Sequence, residues 1–166
     1  MTGKPSIDRP WLNLYPDFMK NIQIPECSLW DYFKMNCPGD DVAAIHYYGE
    51  DILWKTVFEQ AEATACALKA LGLGEGDQIP VFLRAVPEFM YLLLAAEKIG
   101  ASVLCRDNTL EENVEAVAKA GAKVIFVHDF LSQRALNAYL EGSGVEKVIM
   151  LEALHSGSRD AMPDYV

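Results

Sequence analysis

From Leu71 to Val127 the chain alternates short apolar runs with segments of helical length, and few folds absorb that alternation. The runs Ile79 to Leu83, Ala101 to Cys105 and Lys123 to Val127 have the length and β-branched content of strands. Between the first two, Pro87 occupies a first-turn position, Glu88 to Ile99 is apolar almost all round, and Gly100 ends the helix. Between the second pair, Thr109 and Glu112 have capping-box spacing. Leu110, Val114 and Val117 define one inward face, and Gly121 is the stop. A helix at Leu131 to Leu140, a turn at Gly142-Ser143-Gly144 and a strand at Val145 to Leu151 continue the pattern. Parallel neighbours cannot be joined by a tight hairpin, so the links must be crossovers, and these are right-handed. The predicted class is α/β, with an open, mainly parallel sheet flanked by helices.

Upstream, the order is different. Pro5, Pro10, Pro16 and Pro25 stand too close together for a long helix. Trp11, Leu14, Tyr15 and Phe18 nonetheless make this arm apolar enough to pack on something larger. Ser28 to Phe33 reads as a short helix with Ser28 as its N-cap and Asp31 three residues on. Val42 to Tyr47 and Asp51 to Trp54 read as a hairpin around Tyr48-Gly49-Glu50. An amphipathic helix follows from Lys55 to Leu71, with Val57, Ala61, Ala65 and Leu68 on one face, Thr56 and Glu59 at capping-box spacing and Gly72 as the stop. The expected division is an irregular arm and short helix over 1–40, then an α/β portion over 41–166.

Charge and cysteine usage narrow the function classes. Fourteen basic against 24 acidic residues leave a net charge of -10, a surface that repels nucleic acid and anionic lipid. Cys27, Cys37, Cys66 and Cys105 form no Cys-x-x-Cys pair, and with His46, His128 and His155 scattered they argue against a zinc site. Four free thiols fit a reducing cytoplasm. The polar N-terminus has no signal-peptide run, and the most apolar window, Phe89 to Ala96, is far below the roughly 18 residues of a membrane span. A near-all-apolar helix over 89–96 and an aromatic arm over 11–18 predict exposed apolar surface and self-association.

Gly72, Gly74 and Gly76 follow a helix and precede a strand, the reverse of a phosphate loop, and read as a stop and a turn. Topology offers a better constellation. Ligands of open parallel sheets bind beyond the strands' carboxyl ends, and three strands here end in Arg84, Arg106 and His128. Two guanidiniums and an imidazole would suit an anion. The plainer reading, which is preferred, pairs them with Asp107 and Asp129 at the rim. His46, beside Tyr47 and Tyr48, reads as a packed or rim histidine. No catalytic residue and no metal site is assigned.

From about Pro10 to Leu151 the order of motifs resembles AMP-forming acyl-CoA synthetases. The resemblance to fatty-acid ligases of that superfamily lies in Pro10-Trp11, Tyr15-Pro16 and Ile24-Pro25-Glu26-Cys27-Ser28-Leu29-Trp30-Asp31-Tyr32. Leu71-Gly72-Leu73-Gly74-Glu75-Gly76-Asp77, Gly100-Ala101 and Gly121-Ala122-Lys123-Val124 complete it. Two departures fall on strand ends. Leu83-Arg84-Ala85-Val86 stands where the family has Leu-Pro-Asn, and Cys105-Arg106-Asp107-Asn108 where it has an apolar-Asn-Pro turn.

The resemblance implies a larger adenylate-forming N-terminal domain and a parent ligase using ATP, magnesium and CoA on a carboxylic acid, with fatty acids favoured. In such enzymes a carboxylate attacks ATP to give an acyl-adenylate, and the CoA thiol then displaces AMP. The family's phosphate loop, aromatic-Thr-Glu motif, ribose-binding Asp and late lysine have no match here. The chain is therefore expected to be an inactive N-terminal fragment binding none of these cofactors. In some relatives a cation at the level of Lys123 lies near CoA. The competing readings are a self-contained doubly wound module using Arg84, Arg106 and His128 for an anion, and a non-catalytic partner-binding domain.

Overall fold

The computed structural model describes residues 2–20, 22–83, 85–105, 109–152 and 155–158. The arm forms three isolated turns, α1 (Pro5–Asp8), a 3-10 turn (Pro10–Leu14) and α2 (Asp17–Lys20), and none buries a residue. Prolines set their starts, and four or five residues are too few to present an apolar stripe. The next helix, α3 (Leu29–Asn36), begins as its cap predicts, with the Ser28 hydroxyl accepting from the Asp31 N–H.

The hairpin pairs β1 (Ala43–Tyr47) with β2 (Glu50–Leu53) antiparallel, Tyr47 opposite Glu50. Its turn is the two residues Tyr48 and Gly49, both at positive φ (41° and 81°), which matches the twist of the flanking strands. The long helix α4 (Trp54–Ala70) follows directly. The Thr56–Glu59 capping box is not formed. The helix starts one residue early with Leu53 as N-cap, and the Trp54 and Lys55 N–H groups donate to the Val42 and Asp40 carbonyls. A backbone segment already satisfies those donors, so no side-chain cap is called for.

Four strands then form one parallel sheet. They are β3 (Gln78–Phe82), β4 (Ser102–Leu104), β5 (Val124–His128) and β6 (Lys147–Leu151), in the spatial order β4-β3-β5-β6. Connecting them are α5 (Pro87–Lys98), α6 (Leu110–Ala120) and α7 (Gln133–Gly142). Pro80 lies inside β3, but the ladder to β4 ends there and the ladder to β5 begins at Val81. Its missing N–H therefore falls where the strand changes partner. The capping box of α6 forms in full, Thr109 accepting from the Glu112 N–H and Glu112 from the Thr109 N–H, and Gly121 closes the helix at φ 64°. The last helix differs from its sequence reading. Ser132 caps α7, and Gly142 is its final residue, not a turn. A Cβ at Gly142 would lie 2.9 Å from Val114 Cγ1, so glycine lets α7 approach α6.

The sheet is covered on both faces. Ile79, Val81, Val124 and Phe126 pack against Ala65 and Leu68 of α4 and Leu92 and Ala95 of α5. Ile125 and Val127 face Val117 of α6 and Tyr139 of α7, whose ring stacks on Phe82 at 5.3 Å. The apolar circumference of α5 is explained by this arrangement: Leu92 and Ala95 meet the sheet, while Tyr91 and Leu94 meet Val57 and Ala61. The prediction that residues 89–96 would be exposed is thus corrected, since α4 and the hairpin cover the side the sheet does not.

Outside the sheet, α3 is docked by aromatic and cationic contacts. Trp30 meets Phe58 edge-on at 5.6 Å, and Phe33 lies 5.5 Å from Trp54. Lys98 Nζ sits 4.2 Å above the Trp30 ring while also pairing with Glu62 at 2.8 Å. Lys34 covers Phe58 at 3.9 Å. Each such ammonium over a ring contributes about 0.5–2 kcal/mol. The arm before α3 has no equivalent contact set: Leu14, Phe18 and Ile24 remain 87%, 76% and 84% exposed. All four cysteines are free thiols.

Candidate functional site

The carboxyl edge of the sheet is where topology alone would place a ligand. In sequence order the strands lie 2-1-3-4, so the chain departs in opposite directions from the adjacent strands β3 and β5. The crevice outside such a reversal is the usual ligand position in open α/β sheets. His128 ends β5 at that edge, half-buried. Its Nδ1 accepts the Phe130 N–H at 3.0 Å, which fixes the remaining ring proton on Nε2 when the imidazole is neutral. The Phe130 ring lies 5.6 Å away. Arg84 and Arg106, predicted for the same rim, lie outside the described residues, as do Asp107 and Asn108.

Lys123 stands at the other end of β5, and its Nζ pairs with Glu146 Oε1 at 3.0 Å in an exposed contact. Its carbonyl accepts from the Glu146 and Lys147 N–H groups, starting the β5–β6 ladder. Lys123 and His128 are therefore at opposite ends of β5. His46 is on the exposed side of the hairpin and pairs with Asp51 across it at 2.5 Å.

A groove that the sequence reading missed runs along the other side of α4. It encloses about 930 Å³ between α4 and the β5–β6 flank of the sheet. Phe126, Ile149 and Leu151 form its floor, and Thr64, Leu68 and Leu71 one wall. The stripe Thr56, Gln60, Thr64, Ala67 and Leu71 repeats at helical spacing along it. That stripe could have been found in the sequence, but it mixes polar with apolar residues and reads as a solvated face.

One end of the groove is acidic. Glu50, Asp51 and Glu88 line it together with His155, and among the described residues no lysine or arginine does. Glu88 belongs to the first turn of α5, where the helix dipole favours a carboxylate. Ser156 donates to its Oε1, while its Oε2 is buried without a hydrogen-bond partner among the described residues. Burial, and secondarily the Glu88 charge, push the Tyr91 hydroxyl above the usual phenol range.

The groove's donor set does not suit the groups the family resemblance implies. A groove rimmed by carboxylates repels the phosphates of ATP and CoA. Among the described residues, no three His, Cys, Asp or Glu side chains come together to hold a metal ion. No reaction step is assigned to these residues. No helix among them is long and apolar enough to cross a membrane.

Comparison with known proteins identifies the framework. The family described as AMP-binding enzyme matches residues 34–163. An acetyl-coenzyme A synthetase of Streptomyces avermitilis is 29% identical over 127 residues, covering 67% of this chain and 20% of that protein. A 3-hydroxypropionyl-coenzyme A synthetase of Metallosphaera sedula is 28% identical, covering 60% and 17%. The chain thus spans about a fifth of the length of these curated relatives. Among solved structures, a benzoate CoA ligase from Burkholderia xenovorans superposes with a TM-score of 0.69 at 17% identity, covering 81% of this chain and 28% of that one. The N-terminal domain of FACL13 from Mycobacterium tuberculosis gives 0.67 at 18% identity, covering 84% and 38%.

Proposed function

Because the chain belongs to the AMP-binding enzyme family, we propose that it is part of the N-terminal domain of an ATP-dependent carboxylic acid-CoA ligase. The observation that carries this reading is the family match over residues 34–163, which coincides with the hairpin, the long helix and the four-stranded parallel sheet. The two curated relatives are both named as coenzyme A synthetases. ATP, magnesium and CoA belong to the activity of the whole protein. What the described residues supply is the scaffold.

The finer reading is a fatty-acid substrate. Its support is the resemblance carried by Pro10-Trp11, Tyr15-Pro16 and Ile24-Pro25. Short acids are the competitor, since relatives are named for acetate and 3-hydroxypropionate. Arg84, Arg106 and His128 are proposed as an anion contact at the carboxyl edge. A CoA-side role for Lys123 would require its pair with Glu146 to open. The free thiols support a cytoplasmic setting.

ATP–pyrophosphate exchange with a panel of acids from acetate to long-chain fatty acids tests the reading. The whole protein is expected to exchange with at least one acid and then form its CoA thioester, and the 166-residue chain alone with none. Stabilising a transferring phosphoryl group needs preorganised donors and a metal, which the described residues do not assemble. A whole protein that adenylates no acid would overturn the ligase reading. Exchange by the chain alone, lost in Arg84→Ala or Arg106→Ala, would favour a self-contained anion-binding module.

A further inference from the structure

We draw no further inference here: the strongest candidate, the groove between α4 and the β5–β6 flank with its acidic end at Glu50, Asp51 and Glu88, carries none because nothing in the structure shows what covers it.

Discussion

The arm over 2–27 and the body from α4 onward are both rich in large apolar residues, yet only the body has a core. The difference lies in continuity, not composition. In α4, Val57, Ala61, Ala65 and Leu68 recur at helical spacing along 17 residues, and all four are buried. In the arm, prolines cut the chain into turns of four or five residues, so Trp11, Leu14 and Phe18 never share one regular face. Burial requires an element long enough to hold several apolar side chains on one surface while satisfying its own backbone. Apolar residues without such an element stay available for another molecule.

The sharpest way to break this comparison is to truncate one residue from each region. Leu94 and Ile125 are both fully buried. Leu94→Ala or Ile125→Ala is expected to lower the unfolding free energy by about 2–5 kcal/mol, the range for large-to-small core changes. Leu14→Ala should change it by less than about 0.5 kcal/mol, as for exposed positions. Urea denaturation at two protein concentrations separates folding from any association. A Leu14→Ala loss comparable to that of Leu94→Ala would show that the arm belongs to the core.

A smaller effect probes the body's local signals. Thr109→Ala removes the side-chain half of the α6 capping box and should cost about 1 kcal/mol. Asp17, in the first turn of α2, heads a turn that buries no residue, so Asp17→Ala should leave the urea midpoint unmoved. Equal shifts from the two substitutions would break the distinction.

The smallest effect lies at the boundary, where α3 is held by Lys98. The hydrogen bond from Lys98, and then its charge, hold the Glu62 carboxyl below the usual glutamate range. A folded-state value below the unfolded one means that this contribution is complete above the unfolded value of about 4.3 and fades as pH falls through the lower folded value. Glu62→Gln should flatten that acid limb while leaving Lys98 over Trp30. Lys98→Met should flatten it and also change Trp30 fluorescence. Thermal melts from neutral to acid pH read the limb, and an unchanged limb in Glu62→Gln would rule the pair out as its source.

Much of the fold was legible because its determinants are local. Thr109 with Glu112, Ser28 with Asp31, Pro87 at a helix start and Gly121 at a helix end each act within one turn, and each is found where the sequence places it. The parallel alternation was legible for a related reason: chain connectivity leaves few ways to arrange strands joined by helices. Three features depended on elements distant in sequence. The cap of α4 is replaced by the Val42 and Asp40 carbonyls, contributed by the segment entering the hairpin. Gly142 ends α7 where Val114, on another helix, leaves no room for a side chain. The groove lies between α4 and the β5–β6 flank, which no residue of either announces.

By itself the sequence determined the class of fold, the family and the break between a proline-cut arm and a periodic body. Each is written in spacing along one segment or in the order of segments. Only the tertiary structure decided that the segment entering the hairpin caps α4 with the Val42 and Asp40 carbonyls, that α7 runs on through Gly142 against Val114 of α6, and that a groove lies between α4 and the β5–β6 flank. Those facts follow from which surfaces meet in three dimensions, and residues far apart in the chain settle that jointly, through packing against one another.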